Sequence, residues 1–385
     1  MRRIEPPLLQ KINQRTVVEV LLHRGPCSRA EVVRYSGISA PTVSKAVAAL
    51  IERGLLEEGD SPQGMFGRPG KLLRLANTTT QVLGIALEPN RCSIASAGFD
   101  GNLHHDEVTQ FATPGSYQAL LNEMAERSAA LMRNNPGATL GIGISAPSLV
   151  HARLQETVFA SNMHIIDGRS PANDLSQRLG VECVMMEEVA LLCLAMRCFG
   201  DAKGVDNFAM LDVTTGLGLG IFTGGELLTG NSGMAGEIGH VTIDPKGKLC
   251  GCGNHGCLET VATDSAFALA VSQRYGTSLD IDEVVRLVQS AEIQPTEEIR
   301  DALEYLAIAV AMVINLFNPA VVYIRSKMLD AREDLFPQLL HLVRQRALAA
   351  PHADCRIYRS DMSKLQGAVA GITTHLTNAL APKVN

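Results

Sequence analysis

The chain has 385 residues, of which 46% are hydrophobic and 19% are charged, with a formal net charge of −6. A single hydrophobic core stops growing at roughly 250 to 300 residues, so this length predicts two or three domains and excludes a single small binding module. The composition excludes a disordered, collagen-like or low-complexity chain.

The net charge conceals an uneven distribution along the chain. Residues 1–75 hold 12 Lys and Arg against 7 Asp and Glu, a balance of +5, which leaves −11 for residues 76–385. Segments of opposite charge are expected to meet different partners, although ordinary surface variation would also produce such a difference.

Three further features concern the cellular compartment. The longest apolar stretch, 305–317, is shorter than the roughly 20 residues of a spanning helix and predicts a buried core helix. The first residues show no signal-peptide pattern, so we expect a cytoplasmic protein without membrane insertion. Of the nine cysteines, three fall within eight residues, which favours reduced thiols and a metal over a disulfide framework.

Three short helices are predicted in the basic segment. Apolar residues between Leu8 and Leu22 indicate the first helix, and the second spans 29–35 with Ser28 and Glu31 as a capping box. The third runs from 40 to about 52. Two short helices joined by a glycine-containing turn are typical of a helix-turn-helix.

The start of the third helix has the residues expected at a DNA surface. Small polar side chains and a lysine at a helix N-terminus fit the major groove, where side chains reach base edges and amides meet phosphate. Segments 55–58 and 71–75 predict a two-stranded wing, and its tip at 67–70 would place Arg68 in a minor groove or on a phosphate. The predicted DNA-binding residues are Ser39, which is also the predicted helix cap, Pro41, Thr42, Ser44, Lys45 and Arg68. The alternatives are a three-helix unit for protein contact and, for Lys45, an ordinary surface charge.

From residue 81 onward the pattern becomes α/β. The predicted strands are 82–87, 92–99, 139–144, 183–186, 208–213, 217–222, 321–324 and 356–358. The predicted helices are 117–132, 188–199, 264–274, 297–317, 330–348 and 365–380. The glycine-rich stretch 214–220 lies between two strands and is compatible with either a phosphate cradle or a plain β-hairpin.

One cluster of residue types predicts a metal site. His240, Cys250, Cys252 and Cys257 offer one imidazole and three thiolates within eighteen residues, a set that closes a tetrahedral structural zinc. Unrelated core cysteines are the alternative, and His255 is a second candidate for the nitrogen ligand. Carboxylates at 237 and 259 flank the cluster and would suit a polyhydroxylated ligand, although each alone would be an ordinary surface acid.

These residues resemble a known family. Gly236-Glu-Ile-Gly-His240, followed after nine residues by Cys250-Gly-Cys-Gly-Asn-His-Gly-Cys-Leu-Glu259, is similar to the signature of the ROK family of repressors, open reading frames and sugar kinases. Together with 215–220 and 224–230, the similarity covers most of residues 80–385. The predicted helix-turn-helix resembles that of the family's repressors, which its kinases lack.

The resemblance implies a fold and a set of sites. The fold would be a winged helix-turn-helix over residues 1–76, then an actin-like, two-lobed sugar-binding domain over 77–385 with a zinc knot at 240–257. The zinc ligands would be His240, Cys250, Cys252 and Cys257. The sugar-binding residues would be Asn162, Glu188, Glu237, His240 and Glu259, and the Ser145-Ala146-Pro147 turn would lie beside the sugar.

Several positions depart from the family's kinases. The catalytic aspartate is replaced by Glu188, one methylene longer. The phosphate-binding Asp-x-Gly-Gly-Thr becomes Ala86-Leu-Glu88-Pro89-Asn, which loses an acidic ligand, adds a negative charge and removes an amide donor. A later glycine pair is replaced by Arg325-Ser-Lys. The resemblance therefore implies a protein without enzymatic activity.

The sequence thus predicts a transcriptional regulator, a repressor of carbohydrate genes that binds a double-stranded operator as a homodimer or homotetramer. A sugar or sugar phosphate would shift its conformation. Two alternatives remain open: an active sugar kinase that also regulates, and a regulator controlled by a protein partner.

Overall fold

The structure is a computed structural model that describes residues 6–59, 71–135 and 137–381. Its contacts divide the chain into unit 1, residues 1–204 with 363–385, and unit 2, residues 205–362. The predicted wing tip and Arg68 lie outside the described residues.

The N-terminal segment forms a winged helix-turn-helix. Its elements are α1 (Pro6–Arg24), α2 (Arg29–Ser36), α3 (Ala40–Glu52), β1 (Leu56–Gly59) and β2 (Leu72–Leu75), and the two strands pair antiparallel. Ser28 and Glu31 form the predicted capping box. Ser39 occupies the predicted N-cap position of α3, but its hydroxyl bonds the Thr42 hydroxyl at 2.9 Å and makes no capping bond. Pro41 at the second helical position also removes one amide that a cap would use.

Unit 1 continues as an α/β sheet covered by helices. Its further elements are β3 (Thr80–Ala86), β4 (Arg91–Ala97), β5 (Leu103–Ala112), α4 (Tyr117–Asn134), β6 (Ala138–Ala146), β7 (Leu149–His151), β8 (Glu156–Phe159), α5 (Pro171–Leu179), β9 (Cys183–Glu187) and α6 (Glu188–Cys198). The strand order is β5-β4-β3-β6-β9, with β3, β6 and β9 parallel and the other neighbours antiparallel.

Unit 2 repeats this arrangement. Its elements are β10 (Phe208–Asp212), β11 (Gly218–Thr223), β12 (Glu226–Leu227), α7 (Glu259–Ala262), α8 (Asp264–Tyr275), α9 (Ile281–Gln289), α10 (Thr296–Phe317), β13 (Val321–Arg325), α11 (Leu335–Arg346), α12 (Ala349–Asp354) and β14 (Arg356–Arg359). The order β12-β11-β10-β13-β14 has the same sequence of antiparallel and parallel neighbours as unit 1. The predicted apolar helix α10 is buried through its middle, as expected.

The last helix, α13 (Lys364–Leu380), returns to unit 1 and covers one face of its sheet. Gly143 on β6 permits this packing, because a Cβ there would lie 1.8 Å from the Ala368 carbonyl oxygen. After the last turn of α13, the Ala381 carbonyl accepts a hydrogen bond from Arg15 Nη1 of α1 at 2.8 Å. The helix therefore contacts both the sheet and the winged domain.

The winged domain shares a hydrophobic core with the rest of unit 1. Leu50 and Leu73 of the winged domain belong to the same buried cluster as Phe99, Ile372 and Leu380. The opposite face of the sheet packs in a separate cluster against α4 and α5. Strands buried on both faces by helices are typical of the parallel part of α/β sheets.

Glu57 of β1 makes polar contacts with the segment between β2 and β3. Glu57 is buried and accepts hydrogen bonds from the Thr78 amide and hydroxyl, while Arg74 pairs with its other oxygen at 2.7 Å. Burial alone would raise the pKa of Glu57, but these hydrogen bonds and the nearby Arg74 lower it. The Glu57 carboxylate thus connects the wing to the residues that lead into β3.

One predicted helix is shorter than expected. The stretch 330–348 begins at the last residue of a 3-10 turn, contains α11 and ends before α12. Pro337 lies in the first turn of α11, where proline is tolerated, and the Arg332–Asp334 ion pair lies before it. Within the part of the chain that the structure describes, no helix is both long and apolar enough to cross a bilayer.

Candidate metal centre and ligand-binding residues

Four ligand atoms converge after β12 in unit 2. The side chains of His240, Cys250, Cys252 and Cys257 offer atoms that all lie within 4.8 Å of one another. The Cys252 and Cys257 sulfurs are 3.8 Å apart, and Cys250 Sγ is 3.6 Å from His240 Nδ1. Four tetrahedral ligands with Zn–S bonds of about 2.3 Å place two sulfurs about 3.8 Å apart, so the residues fit zinc. His255 is not part of this group.

The loop that carries the cysteines folds tightly. Gly256 has φ +69°, and a Cβ at this position would lie 1.5 Å from the Asp244 carbonyl oxygen, so only glycine fits. Burial raises the pKa of the Cys250 thiol to about 12, whereas the Asn254 amide lowers the pKa of Cys252. A cation between these sulfurs would stabilise the thiolates that metal binding requires.

Two carboxylates lie against this cluster. Glu237 Oε2 is 3.8 Å from His240 Nε2, the imidazole nitrogen opposite the one that faces Cys250. Burial raises the pKa of Glu237, the neighbouring imidazole opposes this and the Glu259 charge adds to it. Glu259 Oε2 accepts a hydrogen bond from the Leu217 amide at 3.1 Å. The structure therefore brings together three predicted sugar-binding residues, Glu237, His240 and Glu259.

The glycine-rich stretch after β10 is a β-hairpin connection. Asp212 pairs with Gly218 across the hairpin, so the hairpin interpretation is confirmed. The Arg325 guanidinium lies against this connection, 3.1 Å from Asp212 Oδ1 and 3.3 Å from the Thr214 hydroxyl. The positive charge of Arg325 is thus paired with the Asp212 carboxylate of the same unit.

The segment that follows Arg325 is held by a buried acid. Asp264 is 2% exposed and accepts hydrogen bonds from the Ser326 hydroxyl and from the Lys327 and Met328 amides. Burial raises the pKa of Asp264 to about 6, although these three donors act in the opposite direction.

The remaining predicted sugar-binding residues belong to unit 1. Glu188 is the first residue of α6, and its Oε2 lies 2.9 Å from Lys364 Nζ, while Glu88 Oε1 lies 3.2 Å from the same nitrogen. Lys364 is 6% exposed. Asn162 is exposed in the turn after β8.

Sequence reasoning missed Lys364. The Ser363-x-x-Gln366 capping box was available to place a helix start at this lysine. Nothing local in the sequence indicates a partner 176 or more residues away.

The predicted DNA-binding residues that the structure describes lie on one side of α3 or at its start. Ser39, Pro41, Ser44 and Lys45 are exposed and Thr42 is half-buried. The opposite side is buried and consists of Val43, Ala46, Val47 and Leu50. The helix therefore presents a small polar surface with one lysine at its N-terminal end.

Two parts of the chain match sequence models of known families. The sequence model of the ROK family matches residues 85–374, and that of the MarR family matches residues 11–64. The chain belongs to the ROK family. Its first domain is a MarR-type winged helix-turn-helix, and the two repeated α/β units form the ROK actin-like fold.

The similar ROK proteins include repressors. The chain is 25% identical to the transcriptional dual regulator NagC of Escherichia coli K12 over 97% of this chain and 95% of NagC. It is 27% identical to the xylose repressor of Bacillus subtilis 168, over 87% and 86% of the two chains.

Solved structures of ROK proteins share the fold of this chain. A ROK family transcriptional regulator, described as a homologue of the E. coli Mlc protein, has a TM-score of 0.81 and 26% identity and covers 97% of this chain and 98% of its own. A ROK glucokinase from Streptomyces griseus has a TM-score of 0.67 and 20% identity over 77% of this chain and 98% of its own, and shows a shared fold.

Proposed function

We propose that this protein is a sequence-specific DNA-binding regulator, a repressor of carbohydrate uptake or metabolism genes that responds to a sugar or sugar phosphate. The observation that carries the proposal is the polar N-terminal surface of α3 on a winged domain fused to a ROK fold. Repressors named for N-acetylglucosamine and xylose are similar over most of the chain, which supports it.

DNA would be bound through α3 and the wing. Pro41, Thr42, Ser44 and Lys45 would enter the major groove, with Ser39 at the helix start and Arg68 at the wing tip. A palindromic site requires two winged domains, so the active form would be a homodimer or homotetramer.

The effector would be recognised by side chains that donate or accept hydrogen bonds. Glu237, His240 and Glu259 would bind hydroxyl groups of a sugar, as would Asn162 and Glu188 of unit 1. Zinc would be structural, because four protein ligands leave no open position, and it would fix the ring of His240 beside Glu237.

The protein would lack kinase chemistry. Ala86 offers no metal ligand, Pro89 no amide donor, and Glu88 adds a carboxylate paired with Lys364. Arg325 occupies a salt bridge with Asp212 beside the glycine-rich connection. These four positions support a regulatory protein and argue against phosphoryl transfer.

A gel-shift titration with DNA from upstream of its own gene tests the proposal. The wild-type protein should retard this DNA specifically, and one sugar or sugar phosphate of a panel should release it. Lys45→Ala should weaken binding roughly tenfold, because a phosphate or base contact is worth about 1–3 kcal/mol.

Lys203→Ala is the matched control, because Lys203 is exposed in unit 1 and lies outside the winged domain. The affinity of Lys203→Ala for the DNA should equal that of the wild type. Absence of specific retardation, with or without any sugar, would contradict the proposed function.

A further inference from the structure

A basic and aromatic cluster, formed by Arg24, Arg34 and Tyr35, lies where α1 and α2 end. The guanidinium carbons of the two arginines lie 4.9 Å and 4.8 Å from the centroid of the Tyr35 ring. Arg34 Nη2 also donates a hydrogen bond to the Tyr35 hydroxyl at 2.8 Å. All three side chains are exposed. The cluster therefore holds two cations against one aromatic ring at the surface of the winged domain.

This cluster keeps a positive charge. Arg24 makes no ion pair with the described residues. Arg34 Nη2 lies 3.9 Å from Glu31 Oε1, while the other oxygen of that carboxylate accepts hydrogen bonds from the Ser28 amide and hydroxyl. With the Glu31 charge counted, the two arginines leave a formal charge of +1. Both arginines lie in the last turn of a helix, so stabilisation of the helix C-termini is the alternative role.

Short hydrogen-bonded segments join the cluster to the start of α3 and to the wing. Tyr35 stands two residues before Gly37, whose left-handed φ of +69° ends α2 and leads the chain into α3. On the other side, the chain after Arg24 lies beside β2, because Cys27 exchanges two backbone hydrogen bonds with Leu73, at 3.0 Å and 2.8 Å. The cluster thus adjoins both elements that the proposed function places on DNA.

The chemistry of the cluster fits a phosphate group. A guanidinium presents a planar set of donors that matches phosphate oxygens, and the DNA backbone carries a phosphate at every nucleotide along both grooves. We propose that Arg24 and Arg34 bind the operator backbone beside the major groove that α3 enters, with Tyr35 as the residue that positions them.

This inference rests on the proposed function and adds a contact that is independent of base sequence. Backbone contacts set the orientation of a protein on the duplex, whereas contacts to base edges specify the sequence. The Tyr35 ring would hold both guanidiniums in place before binding, so that less side-chain freedom is lost on the DNA. The cluster would therefore raise the affinity for any duplex, and α3 would provide the preference for the operator.

Salt-dependent DNA binding by the full-length protein tests the inference. Affinity is measured by fluorescence anisotropy between about 50 and 200 mM salt, for DNA from upstream of its own gene and for an unrelated duplex of equal length. Arg24→Gln and Arg34→Gln should each weaken binding to both duplexes by a similar factor, about tenfold. Each should also reduce the slope of log affinity against log salt by about 1, because one phosphate contact is lost.

Two substitutions at Tyr35 test its positioning role. Tyr35→Phe keeps the ring and removes only the hydroxyl, so its affinity should stay within about threefold of the wild type. Tyr35→Leu removes the ring that both guanidiniums contact, and should weaken binding to both duplexes about tenfold with a smaller salt slope. Equal binding by Tyr35→Leu and the wild type would exclude the positioning role.

Arg53→Gln is the matched control, because it makes the same charge change at an exposed position after the other end of α3. Both its affinity and its salt slope should equal those of the wild type. An unchanged salt slope in both cluster arginine variants, with a lower thermal midpoint, would show the helix-terminus role and overturn the inference. Weaker binding to the upstream DNA alone would also overturn it, because that result indicates a base contact. If the wild type does not prefer the upstream DNA, the proposed function fails, while the slopes on the unrelated duplex still decide the role of the cluster.

Discussion

At the scale of single residues, the metal cluster depends on atoms that only a folded loop brings together. Cys257 is fully buried, 3.8 Å from Cys252, and its loop turns at Gly256. We expect the wild-type protein to contain about one zinc ion per chain and Cys257→Ser to lose it. The thermal midpoint should fall by several degrees, because structural zinc contributes folding free energy directly.

Metal analysis and a thermal melt check this prediction. Cys355→Ser is the matched control, since Cys355 lies outside the cluster and is half-buried. Full zinc content in Cys257→Ser, or no zinc in the wild type after chelator-free purification, would show the four-ligand assignment to be wrong.

Spacing along the chain was sufficient to predict the three cysteines of this cluster, whereas the choice of His240 over His255 needed the structure. His240 and the three cysteines lie within eighteen residues, so a local loop brings them together. Lys364 was missed for the opposite reason, because its partners Glu88 and Glu188 are remote in sequence and meet only when α13 packs on the sheet.

At the scale of elements, α13 connects the carboxyl-terminal edge of the unit 1 sheet to the winged domain. Its first residue, Lys364, holds the carboxylates at the strand ends, and the residue after its last turn, Ala381, accepts from Arg15 of α1. A helix of 17 residues is about 25 Å long, and we expect it to move as a rigid element. A shift at its N-terminus is therefore expected to reach the winged domain.

Arg15→Met should weaken this connection. The substitution keeps the apolar stem and removes the donor to the Ala381 carbonyl, at a cost of about 1–3 kcal/mol in the free energy of unfolding. We expect DNA affinity without effector to stay within a few-fold of wild type and effector-dependent release to decrease. Gel-shift titrations with and without the releasing sugar measure both quantities.

Arg133→Met serves as the control, because Arg133 is exposed near the end of α4. It should leave release unchanged. Wild-type release in Arg15→Met would exclude the contact between α1 and α13 as a route of communication.

The strength of the local signal accounts for α3, α10 and β5, but not for α9. The helical spacing of apolar residues in α3 and the apolar run in α10 predicted both helices. β5 was missed because its sequence, Leu-His-His-Asp-Glu-Val-Thr-Gln-Phe-Ala, is polar, as suits an edge strand. α9 was missed although Asp280 and Glu283 form a capping box that the sequence displayed.

At the scale of the whole molecule, the shared core of unit 1 predicts cooperative behaviour. Phe99 is fully buried in the cluster that also contains Leu50 and Leu73 of the winged domain. Phe99→Ala should cost about 3–5 kcal/mol and should accelerate amide exchange in α1 and β2 as well as in β4. Hydrogen exchange with mass-spectrometric readout measures this by segment.

The same substitution in the other unit is the control. Phe267 is buried in the core of unit 2, so Phe267→Ala should accelerate exchange there and leave α1 and β2 unchanged. Exchange in α1 that does not respond to Phe99→Ala would mean that the winged domain folds independently of the lobe.

The shared core has a consequence for how such regulators diversify. A DNA-binding domain on a flexible tether can be replaced by recombination without change to the sensor. Here Ile372 and Leu380 of α13 pack in the same buried cluster as side chains of the winged domain, so both sides of the junction would have to be exchanged together. Chimaeras that join a foreign winged domain at residue 76 should therefore require matching substitutions at the end of α13. New operator specificity would arise more readily by substitution on the exposed side of α3.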